Sequence, residues 1–382
     1  MKSQIFDSIT KVPAPLWDYL SQRGMVTMSR DFWAVVEQSG MNDFSYRHVL
    51  FMEDDGTPIG IVSFYSITTD IAIFAPSALR TLLSAIRRVW PGFLKLKMLE
   101  CGTPVTITSP PFVSQIPDAR LLPAITDLLL ETARNTGQLL ITIRDFEPNV
   151  DGLRPLLQDQ GYHWIDSLPN TYLDICWSTP ESYRQSMRSY FRSKLQKYIM
   201  RNTSAGVHYV VRDDFADLAE LLCKQWMVVH THAKEFQREV LTPEFYRNLS
   251  QKMGGHSKVL LFYREDELVA HALLLMDGDL LRWLYVGREE AVNDGLYIYI
   301  AYAVIETAIH LGARRLEMGL TTYAIKQDLG AEVVPIHMAL RATWGWINPF
   351  VGLGYRLMNR IPATHPRAVF KTTVADEQHA SK

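Results

Sequence analysis

Apolar and polar positions along the chain fall into a pattern that occurs twice. Leu50 to Tyr65 (LFMEDDGTPIGIVSFY) reads as an apolar strand, an acidic turn and a second apolar strand, and Leu261 to Leu275 (LFYREDELVAHALLL) repeats that order. Each stretch predicts a β-hairpin. Glu131 to Ile143 (ETARNTGQLLITI) then matches Glu306 to Met318 (ETAIHLGARRLEM). In both, Glu-Thr-Ala ends an apolar helix, a glycine stops it, and a strand follows. Gly137 and Gly312 suit the position just past a helix, where left-handed backbone is cheap only for glycine. A third match, Gln158 to Tyr162 (QDQGY) against Gln327 to Ala331 (QDLGA), is again a short helix stopped by glycine. Three matches in one order predict an α/β protein of two copies, each with helices layered on a mixed sheet.

The connection between the copies reads as follows. Tyr172 to Trp177 (YLDICW) is expected to be the strand that closes the first copy. Thr179, with Pro180 at the first helical position, starts a linker helix running to Asn202. Along it Arg184, Arg188 and Arg192 recur every four residues and predict one cationic face, joined by Lys194, Lys197 and Arg201 against the single acid Glu181. Val207 to Val211 opens the second copy as a strand. Phe215, Leu218, Leu222 and Trp226 then mark one face of an amphipathic helix. The expected domains are residues 1–177, a linker helix over 178–206, a second domain over 207–342, and a C-terminal amphipathic helix and tail over 343–382. In that last piece Phe350, Leu353, Leu357 and Ile361 form an apolar stripe, with Arg356, Asn359 and Arg360 elsewhere. The stripe either packs across the fold, covers a lipophilic chain, or makes peripheral membrane contact.

Composition narrows the class. At 382 residues, 47% hydrophobic and 21% charged, the chain is a packed globular protein of two ordinary domains. Thirty-nine basic against 41 acidic residues give a formal charge of −2, which excludes a whole-protein basic field for nucleic acid. Cys101, Cys176 and Cys223 are widely spaced, odd in number, and read as free thiols in a reducing compartment. The first residues lack an apolar signal region, and the most apolar helix, Leu296 to Ala313, contains Glu306 and His310, so a cytoplasmic protein is expected.

Three stretches resemble a known group. They are the Tyr-rich basic helix from Tyr183 to Arg201, His310 to Gly319 (HLGARRLEMG), and Tyr323 to Glu332 (YAIKQDLGAE). Together they are similar to the FemAB-like and BioF-associated (peptidoglycan-bridge-type) N-acyltransferases, which are tandem GNAT folds. The group carries Asp where this chain has Glu317. The resemblance implies a degenerate GNAT-like first domain, a catalytic second domain, and transfer of an acyl or aminoacyl group to a small amine acceptor. It also implies no tightly bound cofactor, with acyl-CoA, an acyl carrier protein or aminoacyl-tRNA as donor. A catalytically inactive binding scaffold is the reading from another class. The turn matching the group's pyrophosphate site is Gly287 to Tyr297 (GREEAVNDGLY), which nominates Val286, Gly287, Asn293, Gly295 and Tyr297 for donor binding. Its two glutamates and one aspartate oppose a phosphate and favour a carrier-protein or tRNA donor.

Acyl transfer needs a group to deprotonate the amine, donors for the carbonyl oxygen, and an acid for the leaving group. Glu317, at the end of a predicted strand, is the candidate base or ammonium anchor; the alternative is an ion pair with Arg314, Arg315 or Lys326. Tyr323 is the candidate acid and Lys326 the candidate anion binder, or else a packed tyrosine and a solvated lysine. Tyr285, or a neighbour on the strand Leu280 to Val286, should flank the carbonyl, with Trp283 an inward-facing aromatic. His271 is a catalytic candidate or a hydrogen-bonded core histidine. Arg184, Arg188, Arg192 and Lys194 are candidates for docking an acidic carrier protein or tRNA. No His/Cys spacing suggests a metal. The first copy has Thr142 and Leu157 where the second has Glu317 and Lys326, with Asp145 the nearby acid, so it is expected to be structural or acceptor-binding.

Overall fold

The computed structural model describes residues 1–70, 77–150, 152–232, 239–358 and 365–371, for 77–82 and 356–358 the backbone alone. The chain divides into two units: Met1–Pro169 with Pro335–Pro362, and Asn170–Val334 with Ala363–Lys382.

In the first unit the chain lays down β1 (Lys2–Phe6), α1 (Ala14–Ser21), α2 (Arg30–Gln38) and the expected hairpin of β2 (Ser45–Met52) and β3 (Pro58–Asp70). There follow α3 (Ser77–Val89), β4 (Lys95–Cys101), the short β5 (Phe112–Ser114), α4 (Asp118–Thr136), β6 (Leu140–Phe146), α5 (Leu153–Asp159) and β7 (His163–Asp166). Helical spacing of Leu121, Leu122, Ile125, Leu129 and Ala133 gives α4 one apolar face. All five are fully buried against Val62, Phe64, Leu99, Ile141 and Ile143 of the sheet. Each buried Leu or Ile is worth about 1.5–3 kcal/mol, so this face contributes substantially to the unit's stability. Gly137 ends α4 at φ 75°, its N–H bonded to Ala133 O, as the helix-stop reading requires.

The second unit starts with β8 (Asn170–Asp174), α6 (Pro180–Ser186), α7 (Ser189–Ser204), β9 (Val207–Arg212), α8 (Ala219–His232) and α9 (Pro243–Met253). The second hairpin, β10 (Ser257–Arg264) and β11 (Glu267–Asp277), leads to β12 (Leu280–Arg288), α10 (Leu296–His310), β13 (Arg315–Glu317), α11 (Tyr323–Asp328) and β14 (Glu332–Val334). β15 (His337–Ala342) and α12 (Asn348–Met358) return to the first unit.

The sheets have the same order position for position: β1-β2-β3-β4-β6-β15-β7 in the first and β9-β10-β11-β12-β13-β8-β14 in the second. The repeat is therefore structural, but its boundaries are not those of the sequence. The Tyr172 segment does not close the first copy. β8 pairs antiparallel with β13 and β14, and β15, following the second copy, fills the matching slot between β6 and β7. Each unit takes its penultimate strand from the chain segment next to the other. Alternation marks a strand but does not name its neighbour, because every strand offers the same ladder groups.

The linker helix is likewise broken. Met187 and Arg188 adopt extended backbone between α6 and α7. Met187 bridges Phe370, Arg188 N–H bonds Val369 O at 2.8 Å, and Lys371 N–H bonds Ser186 O at 2.8 Å. Backbone groups that would continue a helix go to residues 369–371 instead, so Arg184, Arg188 and Arg192 do not share one helical face.

Ala339 of β15 is fully buried and pairs with Ile143 and Trp164. Ala339→Pro should remove a ladder bond and leave its buried partner unpaired, at a cost of about 1–3 kcal/mol. Hydrogen exchange should then show lost protection in β6 and β7 with β13 unchanged; loss in β13 instead would contradict the strand exchange.

Candidate active site

β12 and β13 run parallel, and their pairing covers only Leu280 to Arg282 against Arg315 to Glu317. From Trp283 onward the β13-facing edge of β12 has no strand neighbour among the described residues. At the same point the register with β11 slips: Leu273 faces Tyr285 and Leu274 faces Trp283, leaving Leu284 as a bulge. A bulge sends residues two apart to opposite faces. Trp283 stacks on Tyr297 of α10 at 5.5 Å, whereas Tyr285 meets Trp226 of α8 and Phe245 of α9. The Tyr285 hydroxyl donates to Glu239 Oε1 at 2.5 Å, and Glu239 is buried. His230 stacks on Trp226 at 4.4 Å; burial holds its pKa below the ordinary value, opposed by the charge of Glu239. An opened strand edge with a bulge, a tyrosine and a buried carboxylate can offer backbone N–H groups to a carbonyl oxygen and a base to an amine.

Glu317 does not stand at that edge as a presented base. It is 1% exposed, one oxygen accepting from Asn170 Nδ2 at 2.6 Å and the other from Arg282. The pair partner is none of the cations considered from sequence. Arg282, itself fully buried, also bonds Asp277 at 3.0 Å. Burial works against the guanidinium, yet Glu317 and Asp277 outweigh it and hold its pKa above the ordinary value. A charge alone in the apolar run LLRWLYV was the signal for Arg282. Nothing in the local sequence marked Asn170 or Glu239.

Past Glu317 the chain turns sharply. Gly319, Thr321 and Thr322 all have positive φ, at 78°, 64° and 47°, which for two consecutive threonines is strained. Lys326 holds this turn: its Nζ donates to Gly319 O at 2.9 Å and to Leu320 O at 2.7 Å. The Tyr297 hydroxyl is 2.9 Å from that of Thr322. Lys326 is buried and so is not an anion binder open to solvent; burial pushes its pKa down to about 7, with Glu317 opposing. Tyr323 is buried as well, as the packed-tyrosine alternative expects.

His271 takes its core reading. It lies fully buried between Tyr246 (3.1 Å) and Gln225 (2.9 Å), and burial pushes its pKa down to about 3. Gly287 pairs with it across the strands, and a Cβ there would come within 2.1 Å of the imidazole. Packing, not phosphate, explains that glycine. Val286 is half-buried beside it on β12 and Asn293 is exposed in the following loop. Gly295, at φ 84°, caps α10 and leaves no room for a Cβ against Tyr198. The anion position at this helix start is already taken: Asp294 Oδ1 accepts from Leu296 N–H at 2.9 Å, and both its oxygens bond Arg288 at 2.9 Å. Among the docking cations, Arg184 pairs with Glu181 and Lys194 with Asp328 at 2.6 Å, while Arg188 and Arg192 bond backbone carbonyls.

A family model described as an acetyltransferase (GNAT) domain matches residues 185–327. That stretch is similar to GNAT acetyltransferase domains, and the two units of the chain have a tandem GNAT-like fold. A Mycobacterium tuberculosis protein provisionally named 8-amino-7-oxononanoate synthase 2 is 30% identical over 325 residues, 81% of this chain but 41% of that protein's length. Among solved structures, FemX is 13% identical with a TM-score of 0.55, covering 88% of this chain and 97% of its own. The C-terminal domain of a protein from Agrobacterium fabrum, provisionally named lysylphosphatidylglycerol synthetase, is 11% identical with a TM-score of 0.54, covering 90% and 94%. These structures share the fold.

The first GNAT unit reverses the polarity of the junction. Where Arg282 faces Glu317, the corresponding register partners are Glu100 and Thr142. Glu100 accepts from Tyr65 at 2.6 Å and lies 3.6 Å from Arg144, which also pairs with Asp145 at 3.2 Å. The sequence singled out Asp145 as the acid near that strand, but Glu100 is a second, and Leu157 is packed in the core. On α12 the apolar stripe does not bury itself: Phe350 and Leu353 are exposed, beside Trp344 and Trp346. The side chain of Leu357 and all of Asn359, Arg360 and Ile361 lie outside the described residues. No helix among the described residues is long and apolar enough to cross a membrane.

Lys326 gives the GNAT domain a pH signature. With a pKa near 7 when folded and near 10.5 when unfolded, the unfolded chain holds more protons between those values, so this group makes stability rise with pH there. Urea titrations from pH 7 to 10 should show a positive contribution that Lys326→Met lacks. Equal slopes in the two proteins would mean that Lys326 is not buried as described.

Proposed function

We propose that the second GNAT unit transfers an acyl group from a thioester donor to an amine at the released edge of β12. The observation that carries this reading is the coincidence of three features at one point: the end of β12–β13 pairing, the Leu284 bulge, and the Tyr285–Glu239 hydrogen bond. Backbone N–H groups around Leu284 to Val286 would hold the developing oxyanion. Glu239, rather than Glu317, takes the acceptor amine's proton or anchors its ammonium, and Tyr285 is placed to protonate the leaving thiolate. Glu317, with Arg282, fixes where the strands part. Lys326 and Tyr297 position the 319–322 turn.

The donor reading follows from Asp294. With its carboxylate on the start of α10, a CoA pyrophosphate meets a negative charge, which favours a donor presented by a carrier. An open groove of about 590 Å³ along α7, lined by Arg192, Ser193, Gln196, Lys197 and Met200, supplies a surface with the charge to receive an acidic carrier protein. The same two features also suit aminoacyl-tRNA, and the likeness of fold to FemX supports keeping that as the second reading. The exposed stripe on α12 supports contact of the C-terminal helix with a lipophilic acyl chain or a membrane surface. The first unit serves as a structural or acceptor-binding half.

Two experiments bear on these assignments. Glu239→Gln should lower kcat about a hundredfold with Tm nearly unchanged, whereas Glu317→Gln should break a buried pair and cost roughly 3–5 kcal/mol of stability. Normal turnover in Glu239→Gln, or a stable but inactive Glu317→Gln, would return the base to Glu317. For the donor, initial rates with one acyl group on CoA, on carrier protein and on tRNA should rank the carrier first. Asp294→Ala should lower KM for the CoA thioester alone. A CoA preference in the wild type would refute the carrier reading, and loss of activity on ribonuclease treatment would install the tRNA one.

A further inference from the structure

Between β3 and β4 the first GNAT-like unit carries an insertion that the sheet does not need. β3 and β4 are antiparallel neighbours whose ends meet at Asp70 and Lys95, yet residues 71–94 intervene; β11 and β12 are joined through Gly278 and Asp279 alone. The insertion has its own chemistry. Residues 71–99 include Arg80, Arg87, Arg88, Lys95 and Lys97 and no acid, in a chain of formal charge −2. Its tip is a built turn. Trp90 N–H bonds Ile86 O at 2.9 Å, Phe93 N–H bonds Trp90 O at 3.0 Å, and Lys95 N–H bonds Gly92 O at 3.0 Å. Arg87 braces it, donating to Asp70 Oδ2 at 2.6 Å and to Phe93 O at 2.9 Å. Leu83, Ile86, Phe93 and Leu94 form a small core beneath. What this brace holds outward is apolar: Val89 is 90% exposed and Trp90 63%, with Arg88, Lys95 and Lys97 exposed around them.

We propose that this hairpin docks on the surface of an anionic lipid bilayer. Trp90 and Val89 enter the boundary between headgroups and acyl chains, and Arg88, Lys95 and Lys97 pair with lipid phosphates. An aromatic at an interface with cations beside it is the pattern that a bilayer surface rewards. Val89 separates this partner from RNA: phosphates and bases would use the cations and the indole, but an aliphatic side chain nine-tenths exposed at the tip gains only where there is hydrocarbon to enter.

The test is sedimentation of the full chain with vesicles of phosphatidylcholine, alone or mixed with phosphatidylglycerol. Binding should be confined to the anionic vesicles. Val89→Ser with Trp90→Ser, and separately Arg88→Glu with Lys95→Glu and Lys97→Glu, should each weaken it by more than about tenfold without lowering Tm. Brominated lipid should quench the wild type more than Trp90→Phe. Wild-type binding by both variants, or binding lost only in Phe350→Ser with Leu353→Ser, would overturn the proposal. So would RNA retention abolished by charge reversal in a protein that ignores vesicles.

Discussion

The Arg282–Glu317 pair is the constraint from which the candidate site follows. Parallel strands without it could continue pairing or separate anywhere along β12. A guanidinium and a carboxylate buried together tolerate neither separation nor rotation, because each would be left charged in a medium that cannot solvate it. Asn170 and Asp277 occupy remaining bonding positions, so the pair is fixed from both sides. Beyond it, β13 gives way to a turn whose threonines have left-handed backbone, and β12 carries a bulge. The ion pair marks the last point of registry, and the released edge of β12 begins one residue later.

That edge is maintained by groups with no role in the chemistry proposed for it. Lys326 spends its ammonium on two carbonyls of the strained turn, and Tyr297 links the same turn to Trp283 through its hydroxyl and its ring. Strain of this kind persists only where surrounding bonds over-determine it. The first unit shows the alternative. There the acid is on β4 and the cation two residues further along β6, with Tyr65 bonded to the acid, so the same sheet position becomes a closed polar network. One fold thus carries an Arg–Glu pair at this junction in one copy and a glutamate held by a tyrosine and an arginine in the other, and in both the parallel pairing ends at that position or one residue beyond it.

Much of this architecture is local and could be read directly. The hairpins follow from alternation around acidic turns. The helix stops at Gly137, Gly312, Gly161 and Gly330 follow from a backbone conformation that glycine alone adopts cheaply, and all four have positive φ. The repeat, and with it the tandem GNAT fold, was legible because these signals depend only on neighbours along the chain. The candidate site was legible in part: the strand from Leu280 and the segment ending in Glu317 were identified, and Tyr285 lies where the opened edge begins.

What the sequence could not supply was pairing. That β8 belongs with β13, that residues 369–371 interrupt the linker helix, and that Glu317 meets Arg282 rather than Arg314 or Arg315 are decisions among chemically equivalent partners. Any strand could accept β8, and any nearby cation could neutralise Glu317. Burial chose between them, because only one arrangement satisfies the backbone ladders and the buried charges together. Burial likewise turned His271 into a core residue, Gly287 into a packing glycine and Lys326 into a brace for a turn. Residue type and spacing along the chain determined the elements and their repetition. The loss of water around particular side chains, known only once the chain is folded, decided which of them remained free to act.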